Sequence, residues 1–321
     1  EGHGFTVTFG GQPGIAMYPD DGTEMTGVSI VGNVIHDCIP AVDFQLIGSG
    51  AYDFHDNTIE DNEIYNCYYG VILYAEDTTS IRDNTIAGNT IYSCFLGIVL
   101  EESNSTGEIC RNTIADNDVY NCFIGGIGLV SEGTILSVHD NTIDGNTVHD
   151  YTGSGIYLTS TNSGHLYGNA VTDNTVYNSN GVGINLEASG SGNTSENTVR
   201  NNSVYQSGYT PESGVGQGIV LEAMTDGVIL DSIIEGNTIY GWNIGIELYT
   251  EATISNIDIV DNTLHNGAGT GNDAGIWMDP PPPGQCTYIT VRGNDIAYTY
   301  DYGIYVGESA YVDIIGNMVH D

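Results

Sequence analysis

The chain contains no lysine and only four arginines, Arg82, Arg111, Arg200 and Arg292, against 42 acidic residues, for a net charge of −38. With so few cations nothing could neutralise a phosphate backbone, which excludes nucleic acid as a partner. No run of about 20 apolar residues exists, so no helix of the chain spans a membrane. No segment carries a 3.6-residue apolar period over the length of a helix, which excludes tetratricopeptide and HEAT-type arrays. The six cysteines include no Cys-x-x-Cys pair, so no metal site is expected from them. A charge this large repels itself, and the expected surroundings are rich in cations; calcium or another divalent ion bridging acidic surfaces is the one cofactor it suggests.

What is present is a phrase repeated: "HDNTIEDNEIYNC", "RDNTIAGNTIYSC", "RNTIADNDVYNC", "HDNTIDGNTVHDY", "YGNAVTDNTVYNS". Aligned on the second asparagine it gives eleven copies, at Asn33, Asn62, Asn89, Asn117, Asn146, Asn174, Asn202, Asn237, Asn262, Asn294 and Asn317. The first six intervals are 29, 27, 28, 29, 28 and 28 residues. A second element, of the form Gly-Ile-x-Leu, follows in nine copies from Gly70 to Gly303. Apolar and polar residues alternate over three or four positions and are punctuated by Gly, Asn and Asp, the text of very short strands joined by sharp turns. Coils of such strands stack at about 4.8 Å, so eleven make a rod of roughly 50 Å.

On this period and this asparagine ladder the whole chain resembles the right-handed parallel β-helices of the pectate-lyase-like superfamily. The fold expected is therefore all-β, a single solenoid domain over 1–321 of about eleven turns. Its turns are regular to about residue 202 and irregular with projecting loops over 203–321, among them the rigid Pro280–Pro283 segment. The resemblance implies an inventory of polysaccharide lyases, hydrolases and epimerases, but the motifs of those enzymes are missing or misplaced. Gly2-His3-Gly4 and Asp20-Asp21 echo a polygalacturonase set, in the wrong order and in the first, incomplete turn. Arg200 and Arg292, the counterparts one would consider for a lyase base, share an outward column on well-separated turns.

In such a coil each alignment column is a physical stack. Ile35, Ile64, Ile91, Val119, Val148, Val176, Val204, Ile239, Leu264, Ile296 and Val319 are expected in the core. The Asn33–Asn317 column and a second one at Asn57, Asn84, Asn112, Asn141, Asn169 and Asn197 are expected at bends, bonding the turns above and below. Cys38, Cys67, Cys94 and Cys122 form an inward column of free thiols, because side chains in register aim the same way and would strain a disulfide. Cys110, in the outward column of His55, Arg82 and His139, is the candidate for a thiol linking two chains. One outward column reads His36, Tyr65, Tyr92, Tyr120, His149, Tyr177, Tyr205, Tyr240, Ala297 in place of a tenth ring after His265, and His320. It suits either a sugar-stacking platform or a lateral contact between rods. Asn104 and Asn193 begin glycosylation sequons in polar text.

Three functions compete. The primary expectation is an extracellular or cell-surface structural protein whose rods assemble with one another into a filament, sheath or surface layer, in general composition similar to some archaeal envelope proteins. The alternative is a polysaccharide-active enzyme, lyase or glycoside hydrolase, for which Glu101, Glu187 and Glu222 are the acids to inspect. The third is a carbohydrate- or ice-binding module, suggested by the columns Thr58, Thr85, Thr113, Thr142, Thr198 and Thr90, Thr147, Thr175, Thr238, Thr263.

Overall fold

The structure, a computed structural model, describes residues 6–8, 11–18, 23–46, 52–76, 79–103, 107–133, 137–207, 216–265, 273–299 and 301–320. Every strand pairing among them is parallel, and each strand pairs with the equivalent strand one coil away. Three sheets wrap one elongated core. The tyrosine sheet holds twelve strands, most of three residues, from Thr6–Thr8 to Met318–His320. The long-strand sheet holds eleven, which reach seven or eight residues in its middle, as in Tyr69–Glu76 and Leu96–Ser103. The third sheet consists of two ladders that bend at the second asparagine column and become continuous in the last coils, where Thr253–Val260 and Gln285–Arg292 run through the bend. Among the described residues no helix is long and apolar enough to cross a membrane.

The corners explain the asparagines. The residue before each ladder asparagine is left-handed, for example Asp61, Gly88, Asp116, Gly145 and Asp173, all with φ between 54 and 65°. Glycine, asparagine and aspartate tolerate that geometry best, which is why the motif reads Asp-Asn or Gly-Asn. The chain then turns, and the buried asparagine amide ties coils together. Asn117 is typical: its Nδ2 donates to Asn146 Oδ1 at 2.9 Å and to the Ile86 carbonyl at 2.9 Å, while its Oδ1 accepts from the Asn89 amide N at 3.0 Å. The chain of side-chain bonds is unbroken from Asn33 to Asn317, every link between 2.8 and 3.0 Å. The second ladder runs from Asn57 to Asn197 and passes to Ser232, whose Oγ accepts from the Asn197 amide at 3.2 Å.

The aliphatic column from Ile35 to Ile296 is fully buried, whereas Val319 in the last described coil is half exposed. Glycine opens the Gly-Ile-x-Leu element because the chain passes there against the preceding core column: a Cβ on Gly126 would lie 2.3 Å from Val148 Cγ1 and 2.6 Å from the Gly155 carbonyl oxygen. Cys38, Cys67, Cys94 and Cys122 are buried free thiols. Their sulfurs turn to backbone carbonyls of their own coil, as Cys38 does to His36 O at 3.1 Å.

Candidate functional site

Outward residues of the long-strand sheet form a varied surface. Strand register sets Glu101, Val130, Thr159, Glu187, Glu222 and Tyr249 in one column across successive coils. The neighbouring column, the x of Gly-Ile-x-Leu, runs Ile72, Val99, Gly128, Tyr157, Asn185, Val220, Glu247, Trp277, Tyr305. The three acids singled out from the sequence thus share one column, with Glu187 and Glu222 on adjacent coils, about 4.8 Å apart along the rod at the backbone.

The electrostatics follow from burial. Partial burial is the first cause for each carboxyl. It holds Glu101 up to about 7, helped by the charges of Glu132 and Glu102. Glu187 is raised by burial and then by Glu222, Glu222 by burial and then by Glu251, and Glu247 by burial and Glu222 against a bond from Gln217. No Lys, Arg or His occurs in any strand of this sheet, so nothing cationic on it counters these shifts.

Two depressions open on this face. One, of about 290 Å³, is lined by Val182, Gln217, Val220, Glu222, Glu247 and Tyr249. The other, of about 130 Å³, is lined by Ile124, Ser154, Tyr157, Thr159, Asn185 and Glu187. Tyr157 lies flat on Gly128, where a Cβ would meet its Cζ at 2.1 Å. Asn185 is 7% exposed; its Oδ1 has no protein partner, and its Nδ2 stands 3.5 Å from Glu187 Oε2. A buried amide oxygen without a partner beside a cavity invites a donor from a ligand or water. Further along, Trp277 stacks on Tyr305 at 4.1 Å.

Tyr157, Asn185, Glu247 and Tyr249 were not singled out from the sequence. The signal was present: Tyr157, Asn185 and Glu247 fill the variable position of an otherwise constant element and Tyr249 the column of the three acids, and a repeat that varies at its outward positions marks a surface free to specialise.

The other expected sites fare differently. The Tyr/His stripe is a ladder of rings stacked on one another from His36 to Tyr240, with centroids 4.7 to 5.0 Å apart and planes within 12°. Within the stack the ring faces are covered by neighbouring rings, and edges and hydroxyls point outward. His265 leaves the stack to meet Tyr298 edge-on at 5.9 Å, and His320 bonds Asp295 at 2.9 Å. Cys110 does occupy the outward column, paired between Arg82 and His139, but it is fully buried. Its small side chain sits beneath longer neighbours, and this corrects the expectation of an interchain thiol. Asn193 starts a strand, Asn193–Ser195, and Thr194 of its sequon is fully buried and bonded to Ser160. The text read as loop is ladder, and the folded chain hides the sequon. Asn104, the Gly2–Gly4 triplet and Asp20-Asp21 lie outside the described residues. The two threonine columns fall on different sheets, Thr85 on the third and Thr90 on the tyrosine sheet, so they form no common flat face.

The profile described as "Right handed beta helix region" matches residues 4–143 and 135–280. The chain belongs to the right-handed β-helix family. No curated protein is significantly similar to it in sequence. Among solved structures it is similar to a double mutant of the periplasmic alginate epimerase AlgG, at 12% identity and TM-score 0.53 over 92% of this chain and 76% of that one. It is similar as well to XylC in complex with xylose, at 14% identity and TM-score 0.52, covering 94% of this chain and 54% of that one. At such identities the likeness is one of fold.

Proposed function

We propose that this β-helix is a carbohydrate-active protein that binds a neutral or weakly charged polysaccharide along its long-strand sheet. In this reading Glu187 and Glu222 form an acid/base pair for glycosidic-bond chemistry. The observation that carries it is the joined surface of half-buried carboxyls with raised affinity for protons, a buried Asn185 oxygen without a partner, and two depressions. A carboxyl that keeps its proton toward neutral pH can donate it to a leaving oxygen, while a second beside it stays ionised. Burial raises both, the Glu222 charge adds to the shift of Glu187, and the Glu251 charge to that of Glu222. Trp277 and Tyr305, with Tyr249, supply apolar faces beside polar groups, the composition sugars favour.

An elimination or epimerisation on a uronate polymer fits less well. Such a substrate would bring more negative charge to a −38 chain, onto a sheet without a cation, unless calcium intervened. The matched structures, a periplasmic epimerase and a xylose complex, support carbohydrate as the ligand class and a place outside the cytoplasm. They favour this reading over the primary expectation of a filament or sheath protein. Assembly keeps one observation of its own, the exposed apolar corner of Ile39, Tyr68 and Phe123, with Phe95 stacked between the two rings.

The deciding experiment is affinity electrophoresis and reducing-end release on a panel of xylan, mixed-linkage glucan, mannan, alginate and pectate, with and without calcium. Retardation by a neutral glycan that is lost in Glu222→Gln and Tyr249→Ala is the expected result. A panel without retardation, or retardation indifferent to both substitutions, refutes the reading.

A further inference from the structure

The third sheet carries a constellation with no part in the long-strand face. Glu108 and Cys110 are the first and third residues of a three-residue strand, so both side chains leave outward while Ile109 enters the core. His139 is paired in register with Cys110 on the next coil. Strand geometry thereby brings together a carboxylate, a thiol and an imidazole, one ligand atom of each within 4.8 Å of the others. The equivalent trios on neighbouring coils read Asp53, His55, Arg82; Ser80, Arg82, Cys110; and Ser137, His139, Tyr167. None of them offers three ligands.

The surroundings aim these atoms at one another. His139 Nδ1 lies 2.8 Å from Asp140 Oδ2, which holds the ring so that Nε2 faces Glu108 Oε2, 3.3 Å away, across a shared proton. Tyr167 stacks on the ring at 4.8 Å and holds its plane. The sulfur is fully buried and, besides this cluster, meets Arg111 Nη1 at 3.1 Å. A cation that took the place of that proton would meet a nitrogen, a carboxylate oxygen and the Cys110 sulfur together.

We infer that Glu108, Cys110 and His139 form a site for a divalent cation of the zinc type, tying two consecutive coils together and leaving a fourth position open to water. Sulfur, nitrogen and one carboxylate oxygen suit zinc and disfavour calcium and magnesium, which take oxygen ligands. Bonds of about 2.0–2.3 Å around a tetrahedral ion place its ligands about 3.3–3.8 Å apart, so the three atoms need draw together by only about 1 Å. Arg111 can yield: it is 48% exposed and remains on Asp83 through Nε at 2.8 Å and Nη2 at 3.0 Å when Nη1 leaves the sulfur. Burial first, then the Glu108 charge, pushes the Cys110 thiol up to about 12.

The test titrates the full chain, stripped by a chelator, with cobalt(II) chloride as a spectroscopic stand-in and then with zinc chloride. A single equivalent of cobalt is expected to produce thiolate-to-metal charge-transfer absorption that zinc abolishes. Cys110→Ser should remove the band, and His139→Gln should remove it or weaken cobalt binding roughly tenfold or more. Cys122→Ala, in the interior thiol column, should keep it. The band reports sulfur ligation and is blind to weak carboxylate sites among the 42 acids. If Cys110→Ser does not fold, His139→Gln decides alone, since its ring lies at the surface of the third sheet. No band in the parent chain, or a band that survives Cys110→Ser, overturns the inference.

Discussion

The tyrosine sheet and the long-strand sheet are built by the same coils, yet one repeats and the other diversifies. On the tyrosine sheet a three-residue strand puts one aliphatic inward and a ring outward, coil after coil, and the rings close on one another. A surface of identical stacked groups satisfies itself and offers no concavity. On the long-strand sheet the inward positions are as constant, with Ile98, Ile127, Ile156 and Ile184 over Leu100, Leu129, Leu158 and Leu186. Its outward positions pass from glycine to tyrosine to asparagine to glutamate, and size differences between neighbouring coils open the depressions. Repetition therefore builds the scaffold, and departure from repetition builds the depressions of the candidate site.

The sharpest way to break this comparison is to mutate one residue on each face and read glycan chemistry. Glu222→Gln should lower turnover on the best polysaccharide by about 10²–10⁴-fold, the usual effect of losing an acid/base carboxyl. Tyr120→Ala should leave turnover unchanged; equal losses would mean that the two faces are not functionally distinct.

A corner substitution should cost stability next. Asn117→Ala removes the donors to Asn146 and Ile86 and strands the Asn89 amide N, each in a buried place. A loss of about 3 kcal/mol is expected in urea unfolding; a loss below about 1 kcal/mol would show that water replaces the ladder.

Glu101 adds a dependence on pH. Its folded-state pKa of about 7 stands above the ordinary value of 4.5. Between those values the native chain holds a proton that the unfolded chain releases, so stability is highest below pH 4.5, falls as pH rises, and levels off above 7. The contribution is on the order of 1–3 kcal/mol after allowance for partial exposure. Glu101→Gln should flatten that part of the curve, measured as urea midpoints at pH 5 and 7.5; an unchanged slope would place the shift elsewhere.

The smallest effect belongs to the ring ladder. Tyr120→Ala loses stacking on Tyr92 at 5.0 Å and His149 at 4.9 Å, worth about 1 kcal/mol, read as a lowered melting temperature. No change would make the rings ornaments of the coil rather than parts of it.

The sequence alone determined the fold, the period, the core columns and both asparagine ladders. In a solenoid every column repeats, and each coil meets only its neighbours, so the one-dimensional pattern already is the contact map. The shared column of Glu101, Glu187 and Glu222 was legible for the same reason, by their fixed place after Gly-Ile-x-Leu. Tertiary structure alone decided what depends on depth and on distance between side chains. Burial, which no column states, sets the proton affinity of those acids, the occlusion of Cys110 and Thr194, and the orphaned oxygen of Asn185. The stacking of Tyr rings face to face, and the meeting of Glu108 with His139 from different coils, depend on rotamers and register in three dimensions, and a linear text leaves those open.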